Sequence, residues 1–467
     1  MIDRLKNISP FWYLTIAAFL VLIASTLFQH GYFMDGLLYS TIARNMSVGI
    51  GDIWHPHFTD TTGSAFHESL PLGMYLESVF FSIFGDHYWV EKVYSIAAGL
   101  LHLLFLIKIW KLINRKDESI SKLSWIPALL WVNTAMIFWS FTNNMLENTS
   151  GLFALLAVYL TLKGALEKQL KWLVIAGVVI VLAGLSKSVM SLFPLGAYFL
   201  YWISNKHEKI GKAALQQIII IVTFVAFLAV LLLIEPVRYN LLTHWDVQLS
   251  PSLGGDKAVS SHRYDIIVRL FFELIPMMVL ALLFYFIGKG KASEHIKWKS
   301  VLFFILVGLS ASVPFMLSPK QSGYYLVPCI PYFALGFGMI MAPTIGNLLA
   351  KKNNASNGWK VFRLTALVIC FAAFVFVFIR PGKYTRHEER IVAVEVFASH
   401  LPKGSTICVC PSVRGDYPFL GYMYRRNYVS FDLKEDYEYF LSDGTCTPDG
   451  CAPLKSSGKY TLYQKRN

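Results

Sequence analysis

The sequence predicts a mainly α-helical, polytopic membrane protein that ends in a small water-facing α/β unit. Three observations carry this. First, 55% of the 467 residues are hydrophobic and only 15% are charged, whereas soluble domains carry roughly 25% charged residues. Second, apolar stretches recur that approach the roughly 20 residues a helix needs to cross a bilayer. Third, the chain changes character after position 380, where long apolar runs give way to short β-like and helical segments.

The apolar stretches fall at 11–29, 89–110, 123–141, 150–166, 171–186, 188–203, 215–234, 266–287, 300–317, 325–343 and 361–380. That is about eleven spans, and ten to thirteen are compatible with the pattern. The 171–203 region reads as two short spans or a hairpin, and Pro328 and Pro331 interrupt the tenth stretch. Phe11–Phe28 has no small-residue cleavage site, so it reads as a retained first span rather than a signal peptide.

The loops alternate in chemistry. Arg4 and Lys6, Lys108 to Lys122, Lys163 to Lys171, Lys206 to Lys212, Lys289 to Lys299 and Lys351 to Arg363 form a basic set, which includes Lys291 and Lys352. The intervening loops are poorer in Lys and Arg but richer in acids, His and Trp. Basic loops face the cytoplasm, which places the N-terminus inside. The loop over 30–88, the Asn143–Asn148 turn, Lys187, the 235–265 loop, Lys320 and the tail after Arg380 then lie outside. The net charge of +13 is distributed as membrane orientation requires, not as a nucleic-acid-binding patch. Two domains are expected: a transmembrane domain over 1–380 and a small extracytoplasmic α/β domain over 381–467.

In that tail, STICVCP, YMYRRNYVSF and KYTLYQK read as β-like runs. Ile391, Val394 and Phe397 have helical spacing, closed by Leu401-Pro402. Cys446 and Cys451 flank TPDG, a spacing that suits a small disulfide loop on an oxidising side of the membrane. The CxC at Cys408 and Cys410 is a poor clip for tetrahedral zinc. Cys329 and Cys370 lie within apolar spans and read as packing residues.

The chemistry-bearing residues cluster on the predicted outer side. Asp35 follows the first span and is itself followed by Tyr39 and IARNM. Alone, such a carboxylate is more readily a helix-end group than a base, and Tyr39 serves equally well as an interfacial anchor. HESLPLGMYLESVFFSIFG places His67 and Glu68 before an amphipathic helix that ends at Phe84-Gly85. His67 and Glu68 read either as a hydrogen-bonded polar pair or, with His262, as ligands of a divalent metal. Glu147 opens a helix, where a carboxylate is favoured by the helix dipole in any case. Lys187 lies between two apolar spans, a costly position unless the lysine reaches water or an anion. Lys320, Tyr324 and Tyr325 form a further basic and aromatic group. The 235–265 loop carries Arg238, His244, Trp245, His262 and Arg263 with a Gly254-Gly255 hinge, and its length argues against a mere connector.

Taken in order, these segments resemble the GT-C glycosyltransferases, above all the bacterial aminoarabinose lipid A transferases and the protein O-mannosyltransferases. Asp35 and Tyr39 are similar to that group's Asp-x-x-x-Tyr-x-x-x-Ala/Ser-Arg pattern. Glu68, Pro71 and Leu72 match its Glu-Lys-Pro-Pro-Leu segment, Glu147 its second acidic site, Lys187 its Thr-Lys-Gly turn, and Lys320 with the tyrosines its basic-Tyr-Leu-x-Pro segment. Two departures stand out. Gly36 replaces the group's usual second acid, and Ser69 replaces its lysine. The order and topology match over most of 1–345.

The resemblance implies a GT-C fold and two catalytic acids, Asp35 and Glu147. It implies that Tyr39, Lys187, Arg263, Lys320, Tyr324 and Tyr325 hold the phosphate and lipid of the donor, with His67, Glu68 and His262 in the loops. The expected reaction moves a sugar from a polyprenyl-phosphate donor to an acceptor hydroxyl on a lipid, glycan or protein. It takes place at the outer face of a bacterial inner membrane, with inversion. No cofactor is required, although a divalent metal at the loop histidines stays open. The expected partners are the lipid donor, the acceptor and membrane lipid, with no nucleic acid and a monomeric chain. Two other readings remain: a ligase or polymerase using lipid-diphosphate donors, and a non-enzymatic transporter or flippase. The second would favour inverted repeats, which this chain does not show.

Overall fold

Each of the eleven apolar stretches carries helix in the computed structural model, which describes residues 9–290, 293–351, 356–379, 381–434 and 437–466. Arg4, Lys6, Lys291, Lys352 and Arg380, used above in the charge pattern, lie outside the described residues. Among the described residues, seven helices are each long and apolar enough to cross a bilayer. They are Val90–Ile113, Leu146–Glu167, Ile210–Leu232, Asp265–Ile287, Trp298–Leu317, Ile330–Ala350 and Asn357–Val377. The pair Glu118–Val132 and Ala135–Thr142, bent by 72°, makes an eighth if it is one span. At the bend, Asn133 and Thr134 turn their side chains back onto the carbonyls of Leu129 and Leu130, a local bonding that competes with the helix ladder. Pro10–Thr26 and Leu170–Ser186 are apolar but shorter. The 188–203 stretch divides into a 3-10 segment, Val189–Gly196, and a helix, Ala197–Asn205, around Pro194. The helices are those expected, and among the described residues seven or eight of them are by themselves long and apolar enough to cross a bilayer.

The described chain forms two compact units, and they do not follow a single cut at position 380. One comprises Met1–Ser25, Ser95–Thr142 and Glu147–Ile379; the other comprises Thr26–Tyr94, Asn143–Leu146 and Arg380–Asn467.

The first unit is the helical one. Its closest helix pairings join Pro10–Leu22 to Asn357–Val377, Leu170–Ser186 to Ile210–Leu232, and Ile330–Ala350 to both Trp298–Ser312 and Asp265–Ile287. Gly177 shows how tight one crossing is: a Cβ there would come within 2.8 Å of the Ile220 carbonyl oxygen. The centre is filled by Trp110, Trp131, Phe303, Phe304 and Tyr332, all fully buried. By contrast, Val222, Val225, Phe272, Phe286, Leu364 and Phe371 are exposed along three of the long helices. Aqueous solvent does not favour such faces and a bilayer does. This is a multi-span membrane protein.

The second unit is a five-stranded mixed sheet with helices packed on it. The strands are β1 (Thr406–Val409), β2 (Ser430–Asp432), β3 (Tyr439–Ser442), β4 (Cys451–Ser457) and β5 (Tyr460–Lys465), in the spatial order β2-β1-β3-β5-β4. β1 pairs in parallel with β2 and β3, with Cys408 opposite Asp432 on one side and Phe440 on the other. β5 runs antiparallel to β3 and β4. The helix expected over 387–401 is Glu388–Ala398, with Ile391, Val394 and Phe397 buried. YMYRRN is helical rather than extended. It lies in Tyr417–Asn427, where Asp416 caps the amide of Phe419 and Pro418 sits in the first turn. The β-like run is confined to β2.

The tail has no core to itself. Phe397, Ile407, Phe419, Met423, Phe431 and Leu462 share one apolar cluster with Ile42, Phe58, Phe66, Met74 and Phe81 from the first loop. The disulfide also differs from expectation. Cys446 pairs with Cys410, 36 residues back, and Cys451 is a free thiol at the start of β4. Cys410 follows directly on β1 and Cys446 lies in the turn after β3, the strand beside it, so the sheet brings together cysteines distant in sequence.

Candidate active site

In the sheet-bearing unit, the Met34–Ser47 helix presents the Asp35 motif. Phe33 is its N-cap and offers no capping side chain. Asp35 lies in the first turn, half-buried, where the helix dipole favours a negative charge. One turn on, the buried Tyr39 places its hydroxyl 3.5 Å from the hydroxyl oxygen of Ser69. The residue that replaces the expected lysine therefore touches the motif helix, and two segments 30 residues apart meet. The same helix anchors the loop through Asn45, whose Nδ2 donates to the carbonyls of His57 and Phe58 at 2.9 and 3.0 Å. Gly36, the other departure, has a steric cause. A Cβ at this position would lie 1.8 Å from the Asn143 carbonyl oxygen, so no side chain, acidic or otherwise, fits between helix and turn.

Glu68 is exposed at the edge of this loop, while its neighbour His67 is buried. Burial, with the nearby charge of His55, holds the His67 imidazole below its ordinary range, which favours the neutral ring. His262 belongs to the other unit. It is exposed, stacks on Tyr264, and its backbone N–H donates to Asp265 at 3.1 Å. Among the described residues, no group of three or more His, Cys, Asp or Glu side chains is arranged to hold a metal ion.

In the helical unit, two sequence candidates meet. Lys187 terminates Leu170–Ser186 and Glu147 opens Leu146–Glu167; Nζ and Oε1 are 3.4 Å apart, with the side chains 17% and 4% exposed. The 235–265 segment is helical over its first half. It begins with the helix Glu235–His244, continues through a π-helical turn, Trp245–Leu249, and a further helical turn, and reaches Gly255 at φ +104°. His244 is buried, with Nε2 3.4 Å from Ser188 Oγ, directly after Lys187 in sequence. Arg238 is exposed on the same helix.

The end of this segment is stitched to the Lys320 loop. The amides of Val259 and Ser260 both donate to the Pro319 carbonyl at 3.1 Å. Gln321, fully buried, donates from Nε2 to the carbonyls of Arg263, Phe315 and Ser318, and its Oε1 accepts from the amide of Ile266 at 2.9 Å. Arg263 also donates to the Leu317 carbonyl at 2.5 Å. Arg263 and Lys320 are thus held on one scaffold. Tyr324 stacks on Trp139 and Tyr325 on Phe315, so both tyrosines have packing partners. Gln321 was not singled out from the sequence, because its value lies in four backbone groups that only the fold gathers.

The family model for dolichyl-phosphate-mannose-protein mannosyltransferases matches residues 67–233. Among solved structures, ArnT from Cupriavidus metallidurans bound to undecaprenyl phosphate superposes with a TM-score of 0.67 at 14% identity, covering 97% of each chain. The apo state of the same protein gives a TM-score of 0.63 at the same identity and coverage. Archaeoglobus fulgidus AglB, in complex with an inhibitory peptide and a dolichol-phosphate, matches at a TM-score of 0.48 and 12% identity, over 92% of this chain and 69% of that one. No curated protein sequence matches significantly. The resemblance read from the sequence and the fold agree.

Proposed function

We propose that this chain, a membrane glycosyltransferase of the GT-C fold, moves a sugar from a polyprenyl-phosphate carrier to an acceptor hydroxyl. The transfer takes place at the outer face of a bacterial inner membrane, with the N-terminus cytoplasmic and the tail periplasmic. One observation supports the reading above others. The Asp35 helix and the Glu68–Leu72 segment, which resemble separate GT-C motifs, are joined through Tyr39 and Ser69. A transporter reading gives no reason for that meeting.

Asp35 accepts the proton of the acceptor hydroxyl. The oxygen attacks the anomeric carbon from the face opposite the phosphate, the carbon–oxygen bond to the phosphate breaks, and the electron pair leaves on the polyprenyl phosphate. The configuration inverts. The leaving group is already stable as an anion and needs charge balance rather than a proton. Lys187, Lys320 and Arg263 supply that balance, Tyr39, Tyr324 and Tyr325 hold the carrier's head, and Glu147 sets the position of Lys187. The scheme calls for no metal, which transfer assays with and without a chelator test directly.

The deciding experiment is transfer by the purified, reconstituted chain. Polyprenyl-phosphate sugars and lipid-diphosphate glycans are offered separately, and the product is read by mass spectrometry. Transfer from the monophosphate carrier with an inverted anomeric centre supports the reading. Turnover of the diphosphate donor alone points to a ligase or polymerase. Lipid movement across the bilayer without transfer overturns the enzymatic reading.

A further inference from the structure

The Asp35 helix receives its N-terminal cap from elsewhere in the chain. The Phe33 amide donates to Asn143 Oδ1 at 2.8 Å, and this satisfies one of the donors a helix start leaves open. The backbone of the same turn lies against Gly36, where a Cβ would meet the Asn143 carbonyl oxygen. The Asn143-Asn144 turn therefore fixes the first turn of the helix at the two positions flanking Met34 and Asp35. The turn is itself constrained. Asn144 has φ +51°, in the left-handed region that non-glycine residues seldom adopt. Its buried side chain donates through Nδ2 to Oε1 of Glu77 at 2.8 Å.

Glu77 lies on the Leu72–Phe84 helix and is 1% exposed. The reaction scheme does not use it. A carboxyl group buried this deeply is costly unless it is bonded, and it carries the left-handed Asn144 on its oxygen. We propose that Glu77 is a positioning residue for Asp35: through Asn144 and Asn143 it holds the start of the Met34–Ser47 helix in the one placement that aims Asp35. This rests on the reading of Asp35 as the base. Burial, with the charge of Glu91 added, pushes the Glu77 carboxyl well above the usual carboxylate range despite Asn144 and Arg425. A glutamine keeps the oxygen Asn144 needs and the same shape.

The test uses the full chain, reconstituted, with two readouts. One is transfer from a polyprenyl-phosphate sugar, as kcat per folded molecule and donor KM. The other is the alkylation rate of a thiol placed by Asp35→Cys, corrected for the native thiols; this reads position without reference to catalysis. Glu77→Ala is expected to lower kcat by about tenfold to a hundredfold, the scale on which small displacements of a reacting group act. Donor KM should stay close to the parent, and alkylation at position 35 should change. Glu77→Gln should restore both readouts. Asn144→Gly, which keeps the left-handed backbone but removes the donor, should reproduce the Glu77→Ala pattern and serves where Glu77→Ala does not fold. Unchanged alkylation at position 35 and unchanged kcat in the folded variants overturn the proposal, whatever their stability. If alkylation shifts while Asp35→Asn still transfers sugar, the positioning role stands and the reading of Asp35 as base fails.

Discussion

Lys187 Nζ lies 3.4 Å from Glu147 Oε1, with both side chains largely shielded from solvent. Two residues 40 positions apart thus form one ionic unit at the junction of two helix ends. A buried pair costs its desolvation and contributes little net stability, but removing one partner strands the other. Lys187→Ala should therefore do two things: lower the unfolding temperature and weaken use of the lipid-phosphate donor. A charge-assisted contact is worth about 1.5–3 kcal/mol, so donor efficiency should fall by about ten- to a hundredfold. Adding Glu147→Gln should recover stability but not donor efficiency. Thermal unfolding and donor titration on the single and double variants separate the effects. If the donor dependence never changes, the phosphate is bound elsewhere, and the exposed Arg238 becomes the next candidate.

Asp35→Asn keeps the shape of the side chain and removes its basicity. It should abolish sugar transfer while leaving the chain folded in the membrane at parental yield. Turnover near the parental rate would remove Asp35 from the mechanism.

Lys320 and Gln321 are neighbours with opposite expected signatures. Lys320→Ala removes a half-exposed cation and should weaken donor use with little change in stability. Gln321→Ala removes this partner from the carbonyls of Arg263 and Ser318 and the amide of Ile266, while the Phe315 carbonyl keeps the Ser318 amide, and an unmet buried group costs about 1–3 kcal/mol. It should lower the unfolding temperature and open residues 255–265 to protease, as limited digestion would show. Equal protease resistance in the two variants would count against Gln321 as the scaffold of this loop.

The tail supplies a test of both cross-linking and topology. Closing a 36-residue separation, the Cys410–Cys446 bond should contribute about 2–4 kcal/mol. Cys446→Ser should thus destabilise the sheet-bearing unit, while Cys451→Ser should be nearly neutral. With the tail periplasmic, a membrane-impermeant thiol reagent should reach the half-buried Cys451 in intact spheroplasts without prior reduction. Labelling that appears only after lysis would reverse the orientation, and with it the outer placement of Asp35.

The sequence by itself determined the class and the helices. Hydrophobic runs and the residues that cap and break them are local properties. The eleven stretches and the Glu388–Ala398 helix were therefore legible from composition and period. Asp35, Glu147 and Lys187 were singled out through short motifs at fixed spacing. YMYRRN was not legible, because aromatic content in so short a run suits a strand as well as a helix; here the Asp416 cap and Pro418 decided. Only the tertiary structure decided what depends on distant residues meeting. It paired Cys446 with Cys410 rather than Cys451, because neighbouring strands in a sheet need not be neighbours in sequence. It joined the first loop and the tail around one apolar cluster, since neither side's buried residues are complete without the other's. It gave Gly36 its reason, a carbonyl from position 143 lying where a side chain would go. The carboxyl group of Glu77 and the amide of Gln321 look unremarkable in the sequence, because a buried polar side chain acquires its role from the partners that folding places around it.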